Sequence, residues 1–381
     1  MPSLRIVFIF CCALAGSLQT TPARAQAFNF KPLEAVMGQA VSDSVFPGAS
    51  LAVLYKGKVV FHKAFGKKSY APESTPVDTT TIYDLASLTK AISTTSIIMQ
   101  LVERDSLSLQ APVAKYLPAF GSNGKDKVTI EHLLRHTSGL RAHSYFAKSC
   151  RSPEELFNTI ENDSLLSPPG RTTLYSDPGF MLLGKIVATI TGHNLAENFH
   201  ARFAAPLGMH ATMFTPPATL LQHIAPAGQD GDWPFNTVRP LVHDQNAALL
   251  GGVAGHAGLY STTGDLITFT GMLMHGGTSG RRVYFRKETL RNFLSRSSAE
   301  RALGWDLRSI DGPSSAGDYF STSSYGHLGY TGTSIWIDPQ QDLAVILLSN
   351  RVWPTSANIK IRKFRPLLHN TVAECLQLKR L

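Results

Sequence analysis

The sequence predicts an α+β fold, an α/β sandwich in which helices flank one antiparallel sheet built from both termini. Runs rich in β-branched and other apolar residues lie near both ends of the chain, and short turns join them in pairs. They cover residues 49–55, 58–64, 332–338 and 342–349. The chain between them carries mainly helical patterns. We expect one unit over residues 26–381, with a sheet subdomain (26–86 and 280–381) and a mainly helical subdomain (87–279).

Hydrophobic periodicity and helix start and stop signals predict the other elements. We expect helices over residues 30–45, 91–102, 129–140, 153–162, 180–191, 194–205, 262–275 and 356–378, and a strand over 303–310. The last helix contains Pro366, which predicts a kink. Its basic, amphipathic face would suit a membrane surface, but packing on the sheet is the favoured interpretation. The glycine-dense run 251–258 lacks the Lys-Ser/Thr of a phosphate loop and indicates a tight backbone crossing beneath a cleft.

The first residues are typical of a cleavable secretory signal peptide. Arg5 precedes an apolar run over residues 6–18, and Ala23-Arg24-Ala25 forms a small-residue cleavage motif. The run is too short to span a bilayer. Phe10 before Cys11 is not the small residue of a lipoprotein site. We expect cleavage after Ala25 and export to the periplasm or beyond, with no later transmembrane segment.

The composition is that of an ordinary globular protein with a basic surplus. There are 36 Lys and Arg against 27 Asp and Glu, a net charge of +9, which falls to +7 when the leader takes Arg5 and Arg24. The basic residues are scattered and form no arginine-rich helix with interleaved aromatic residues, so we do not expect a nucleic-acid partner. Cys150 and Cys375 remain after the leader, and their pairing is left open.

Two histidines four residues apart raise the question of a metal. His132 and His136 lie in the predicted helix 129–140, but the order Glu-His-x-x-x-His is not the metalloprotease pattern, and no third ligand is placed nearby. Histidines that cap and pack are the favoured interpretation. We expect neither a metal nor an organic cofactor.

Ser87 and Lys90 form a Ser-x-x-Lys pattern at the start of an apolar helix. Three residues apart, their side chains project from the same helix face. A serine hydroxyl needs a base within hydrogen-bond reach, and a lysine can act as that base if burial and the positive end of the helix dipole keep it neutral. The helix amides would also face a developing oxyanion. The alternative is a serine cap followed by an exposed lysine.

Two further motifs follow in order: Tyr175-Ser176-Asp177 and His327-Leu328-Gly329. With Ser87-Leu88-Thr89-Lys90 their spacing resembles the serine penicillin-recognising enzymes, in the branch of class C β-lactamases, D-alanyl-D-alanine carboxypeptidases and related esterases. Those enzymes carry Ser-x-x-Lys, Tyr-x-Asn, and Lys-Thr-Gly or His-x-Gly. Residues 129–140, 175–191, 206–209, 254–265 and 326–334 are similar to the same branch. The resemblance spans essentially the whole mature chain and implies a β-lactamase/transpeptidase-like fold.

The resemblance also implies a role for each matching residue. Ser87 matches the acylated nucleophile, Lys90 its proton partner, and Tyr175 the tyrosine that acts with that lysine as general base and then as acid. His327 and Gly329 match the strand motif opposite the nucleophile. The backbone N–H groups of Ser87 and Tyr330 would form the oxyanion hole.

Two positions depart from the family pattern. Asp177 replaces the usual Asn, which keeps an acceptor for Lys90 but loses an amide donor and adds a negative charge. His327 replaces the Lys of the β-lactamases, and a neutral histidine binds an anionic substrate more weakly. Both departures argue against an efficient β-lactamase.

The favoured function is therefore an exported serine hydrolase acting on peptidoglycan-type peptides ending in D-alanine. An esterase and a weak class C-like β-lactamase are the nearest alternatives. Two alternatives are not enzymes: a penicilloyl- or wall-fragment-binding protein with negligible turnover, and an unrelated helical binding module. An α/β-hydrolase is disfavoured because no Gly-x-Ser-x-Gly elbow occurs. The substrate's acyl and leaving groups and the oligomeric state stay open.

Overall fold

The computed structural model describes residues 28–228, 242–296 and 301–380. The predicted leader, residues 1–25 with cleavage after Ala25, lies outside the described residues. So does the stretch 229–241 within the region predicted to be mainly helical.

The strands of the described residues are β1 Gly48–Tyr55, β2 Lys58–Gly66, β3 Tyr83–Asp84, β4 Met213–Phe214, β5 Leu259–Ser261, β6 Thr278–Ser279, β7 Arg282–Val283, β8 Asp306–Leu307, β9 Tyr325–Leu328, β10 Ser334–Asp338 and β11 Leu343–Ser349. One six-stranded antiparallel sheet in the order β2-β1-β11-β10-β9-β8 forms the centre of the fold. The other strands form two smaller ladders, β3-β5-β4 and β6-β7. The prediction of one sheet built from both ends of the chain is confirmed.

Helices cover both faces of this sheet. They are α1 Lys31–Ser42, α2 Ser96–Glu103, α3 Ile130–Leu134, α4 Phe146–Ser149, α5 Pro153–Asn162, α6 Asp177–Thr191, α7 Leu195–Phe199, α8 Ala205–Leu207, α9 Gln245–Leu249, α10 Thr263–Met274, α11 Lys287–Phe293 and α12 Ile361–Cys375. Single π-helical stretches, Lys90–Thr95 and His200–Ala204, lead into α2 and α8.

Alternate residues of β1 show why the fold is a sandwich. Leu51 and Val53 are buried in one core with α1 and α12, whereas Ala52 and Leu54 are buried in the larger core with the other helices. A strand that is buried on both faces has a nearly continuous run of apolar residues, and β1 has such a run. The predicted α+β sandwich is confirmed. The subdomain boundaries stay a prediction, and α10, assigned to the helical subdomain, packs on β1 and β11.

Several elements are shorter than expected, and the last helix, predicted over residues 356–378, covers only Ile361–Cys375. The predicted helix 129–140 ends at Leu134, because His136 and Gly139 adopt left-handed conformations (φ 58° and 81°) that a helix does not accept. The predicted strand 303–310 is reduced to β8. There Gly304 has φ 73°, and a Cβ at this position would overlap with Thr95, so the chain bends instead of extending.

Three other features bear on the earlier expectations. Helix α12 contains Pro366 and packs on the sheet, as favoured. Cys150 and Cys375 are free thiols buried in different cores. At Gly255, within the glycine-dense run, a Cβ would overlap with Phe180 O, which confirms a tight backbone crossing. None of the helices in the three described ranges is long and apolar enough to cross a membrane.

Candidate active site

The predicted site residues converge on one cleft of about 310 Å³. Ser87, Tyr175, Asp177 and Tyr330 line it. Lys90 lies beneath Ser87 and is fully buried. His327 is in β9 and Gly329 directly follows this strand, and the ring centroids of His327 and Tyr175 are 6.1 Å apart.

Ser87 belongs to a tight turn between β3 and the π-helical stretch. Asp84 Oδ1 accepts a hydrogen bond from Ala86 N–H (2.8 Å), and Ala86 has a left-handed φ of 47°. Thr331 Oγ1 donates to Asp84 O (2.7 Å), and Thr333 Oγ1 donates to Leu85 O (3.1 Å). The turn that carries the candidate nucleophile is thus tied to the turn after β9.

Lys90 is surrounded by acceptors. Its Nζ donates to Ser87 Oγ (3.0 Å) and to His256 O (3.0 Å), and lies 2.8 Å from Asp177 Oδ1. Burial lowers the pKa of Lys90, but the charges of Asp177 and Tyr175 and their hydrogen bonds outweigh it and raise the pKa above its usual value. Burial therefore does not leave Lys90 neutral, which is the condition for the lysine to act as the base by itself, because the ion pair with Asp177 stabilises the ammonium.

Tyr175 lies between two cations and a histidine. The Lys90 ammonium and the Arg301 guanidinium are 4.8 and 5.2 Å from the ring centroid. Burial raises the pKa of Tyr175, and the charge of Lys90 offsets this only in part. The phenol is therefore neutral at rest, so the pair of Lys90 and Tyr175 holds its full complement of protons near neutral pH.

His136 binds and packs against the segment that carries Tyr175. Its Nδ1 accepts from Ser176 N–H (2.9 Å), its carbonyl accepts from Leu174 N–H (2.8 Å), and its ring centroid lies 4.5 Å from that of Tyr175. His132 caps α3 through Thr129. Both histidines thus cap and pack, as favoured, and the described residues contain no cluster of three or more potential metal ligands.

Asp177 joins Lys90 to a histidine that the sequence analysis missed. Its Oδ2 lies 3.1 Å from His143 Nδ1 at the cleft wall. Burial alone would raise the pKa of Asp177, but the charge of Lys90 and the His143 contact hold it well below its usual range. The same hydrogen bond raises the pKa of His143. Asp177 is therefore a carboxylate throughout the physiological range.

His327 is a neutral imidazole, as the sequence analysis assumed. Burial lowers its pKa, and Lys90 and Arg301 add to this effect. Its Nδ1 lies 2.9 Å from Leu328 O. The cleft therefore has no cation at the position where the β-lactamase pattern has a lysine.

Among the described residues, two that line the cleft have a backbone N–H group without an acceptor. Within the described ranges, no acceptor takes the N–H of Ser87 or of Tyr330. The backbone at residue 329 lies so close to Thr333 and Leu85 that only glycine fits, because a Cβ there would overlap with Thr333 Oγ1 and lie 2.5 Å from Leu85 O. Two unengaged N–H groups beside a serine hydroxyl have the composition of an oxyanion hole.

A second carboxylate lines the cleft and was also missed. Asp244 caps α9 through Ala247 N–H, and its Oδ1 lies 3.0 Å from Nε2 of the buried His256. The carbonyl of His256 is the one that holds Lys90. The only sequence signal for Asp244 is an Asp immediately before a short helical pattern, which is typical of any helix cap.

Comparisons with known proteins agree on one family. The family model described as "Beta-lactamase" matches residues 33–365. A protein of Salmonella schwarzengrund named "Putative D-alanyl-D-alanine carboxypeptidase" is 32% identical over 355 residues, covering 84% of this chain and 82% of its own. A penicillin-binding protein homologue from Caulobacter crescentus (TM-score 0.71, 20% identity, 91% and 97% coverage) has a similar fold. So has EstCE1, a hydrolase with promiscuous acyltransferase activity (0.72, 20%, 89% and 98%).

Proposed function

Because the chain belongs to the β-lactamase family of serine hydrolases, we propose that it is a D-alanyl-D-alanine carboxypeptidase acting on peptidoglycan-type peptides. The observation that carries this proposal is the contact of Ser87 Oγ with Lys90 Nζ at 3.0 Å, in a cleft that presents two unengaged backbone donors. The names of the Salmonella relatives support the substrate class. The neutral His327 and the carboxylate of Asp177 argue against efficient hydrolysis of anionic β-lactams.

Acylation would begin at Ser87. In molecules whose Lys90–Tyr175 pair has lost one proton, the Ser87 Oγ attacks the carbonyl carbon of the peptide bond before the terminal D-alanine, and the hydroxyl proton passes to that pair. The N–H groups of Ser87 and Tyr330 would hold the oxyanion. The carbon–nitrogen bond then breaks, and Tyr175 returns the proton to the leaving amine. In the second half-reaction water attacks the resulting ester and gives a proton to the same pair. The bond between the acyl carbon and Ser87 Oγ then breaks, and the pair returns the proton to Ser87 Oγ.

Intact-mass spectrometry tests the nucleophile. The protein is exposed to a fluorescent penicillin and, separately, to p-nitrophenyl acetate, beside a Ser87→Ala variant. We expect adducts of the expected mass in the unmodified protein and none in the variant. Release of D-alanine from an acyl-L-Lys-D-Ala-D-Ala peptide tests the substrate. Adducts that persist in Ser87→Ala would refute the assignment of the nucleophile.

An esterase is the second candidate, and His327 favours it. A carboxypeptidase must hold the terminal carboxylate of its substrate, and a neutral imidazole contributes little to this. An acetyl adduct with fast turnover, without D-alanine release, would favour the esterase. A penicilloyl adduct without any turnover would instead favour a binding protein.

Export is part of the proposal. Peptidoglycan lies outside the cytoplasmic membrane, so the substrate requires the leader that the sequence predicts over residues 1–25. The mass of the protein purified from the periplasm tests it. A mature N-terminus at Gln26 supports export, and an intact Met1 in the cytoplasmic fraction contradicts it.

A further inference from the structure

Arg365 is a buried cation that donates hydrogen bonds to backbone carbonyls. It lies on α12 with 6% of its surface exposed, and its Nη2 donates to Gly329 O (3.1 Å) and Thr333 O (2.8 Å). No carboxylate pairs with it among the described residues, and its Nε has no hydrogen-bond partner there. Burial, with the nearby charge of Arg351, lowers the pKa of Arg365 to about 9. Taking a guanidinium out of water in this way has a large desolvation cost.

The carbonyl that Arg365 binds belongs to a particular peptide group. Gly329 C=O and Tyr330 N–H are the two ends of one peptide unit, and in a trans peptide they point in opposite directions. Arg365 approaches the carbonyl from α12, and Tyr330 lines the cleft. With its carbonyl held on the α12 side, the peptide directs its N–H into the cleft beside Ser87.

The next peptide is held in a similar way. Arg351 Nε donates to Tyr330 O (2.8 Å), and its guanidinium lies 4.5 Å from the centroid of the Tyr330 ring. Gly332 N–H also donates to Gly329 O (3.1 Å), within the same turn. Arg365 reaches this turn from α12, a separate element of the fold, and its Nη2 also donates to Thr333 O at the far end of the turn.

We propose that Arg365 is a positioning residue of the oxyanion hole, which keeps the Gly329–Tyr330 peptide from flipping. A flipped peptide would place a carbonyl oxygen, instead of an N–H, where the negative charge develops. A charged donor on the carbonyl also polarises the peptide, so its N–H becomes a stronger donor. This role rests on the proposed function, in which Ser87 forms an acyl-enzyme.

The competing explanation is that Arg365 only anchors α12 to the sheet. A purely structural role predicts lower stability with an intact site. Positioning predicts a loss confined to states that carry an oxyanion, namely the transition state and its tetrahedral analogues.

The test compares Arg365→Met and Arg365→Lys with Leu368→Ala. Leu368 is fully buried one turn further along α12, so its truncation destabilises the same helix but removes no hydrogen bond to the turn at residues 329–333. Phenylboronic acid serves as the tetrahedral analogue, and p-nitrophenyl acetate reports kcat and KM. We expect Arg365→Met to lose roughly 10- to 100-fold in kcat and in boronate affinity with little change in KM, because a whole oxyanion donor is worth about 10²–10³-fold.

The controls separate the explanations. Leu368→Ala should lower the melting temperature and leave kcat and boronate affinity within about twofold of the unmodified protein. Arg365→Lys keeps a cation, so its kcat and boronate affinity should lie between those of Arg365→Met and the unmodified protein. If Arg365→Met does not fold, the kcat and boronate affinity of Arg365→Lys decide between the two explanations. Boronate affinity that is unchanged in folded Arg365 variants would overturn the proposal. Failure of the unmodified protein to form any Ser87 adduct would overturn the proposed function as well.

Discussion

The replacement Asp177→Asn should move the acid limb of the pH profile of acylation, the range in which the rate rises with pH, to lower pH. In the native site Asp177 raises the pKa of Lys90, so the Lys90–Tyr175 pair loses its first proton only under alkaline conditions. We therefore expect the acylation rate of the native protein to rise with pH through the neutral range. An asparagine keeps an oxygen acceptor for Lys90 but removes the negative charge, so burial then dominates and the pKa falls.

The contact distance sets the size of the shift. Lys90 Nζ and Asp177 Oδ1 are 2.8 Å apart, and their side chains are 0% and 15% exposed, so bulk water screens the pair only weakly. Coulomb's law gives about 6 kcal/mol at an effective dielectric constant of about 20, and about 3 kcal/mol at twice that value. At about 1.4 kcal/mol per pKa unit, the limb should move down by about 2 to 4 units.

The assay is kcat/KM for p-nitrophenyl acetate between pH 5 and 10. Asp318→Asn is the matched control, because it removes a carboxylate that is more than half exposed and paired with Arg380 on the surface. We expect its profile to coincide with that of the native protein. If the acid limb of the kcat/KM profile of Asp177→Asn stays in place or moves to higher pH, Asp177 does not set the charge state of Lys90.

Three further predictions concern Gly329, His136 and the two cysteines of the mature chain. Gly329→Ala should lower kcat/KM by at least about 100-fold, because its Cβ would overlap with a threonine hydroxyl, whereas Gly38→Ala on α1, with nothing within 4 Å, should leave it unchanged. His136→Asn should retain more of kcat than His136→Phe, because asparagine tolerates φ 58° and keeps an acceptor for the buried Ser176 N–H. Phenylalanine leaves that N–H unpaired, which costs about 1–3 kcal/mol. Equal kcat values in the two variants would contradict this prediction. Cys150 and Cys375 should both react with a thiol reagent after unfolding without reductant, and a count below two per mature chain would contradict their assignment as free thiols.

The fold could be predicted because its signals are local. Lys56 and Gly57 adopt left-handed conformations (φ 50° and 70°), as a two-residue hairpin turn requires, and the sequence pattern indicated that turn directly. Helix α5 has the predicted bounds, since Ser152 caps it and Pro153 begins it. The helix expected over residues 129–140 failed because the left-handed turn at His136 is stabilised by a distant segment that no local pattern contains.

From the sequence, only those residues of the site that belong to motifs could be predicted. The resemblance brought Ser87, Tyr175 and His327 together, and the structure places them around one cleft. It said nothing of His143 or Arg365, whose contacts depend on how separate elements dock. These two residues carry no motif, so sequence reasoning had no means of selecting them among the other cations of the chain.

The charge state of Lys90 shows why electrostatics is harder to predict than position. Sequence reasoning could foresee burial and a helix start, which both favour a neutral amine, and it could foresee Asp177 as an acceptor. It could not weigh these effects, because their balance depends on a contact of 2.8 Å between residues 87 positions apart. The structure decides in favour of the ion pair, so Asp177 does more than replace an asparagine. It places the working range of the Lys90–Tyr175 pair at higher pH, and His143, through the other oxygen of the same carboxylate, connects that pair to the solvent-exposed wall of the cleft.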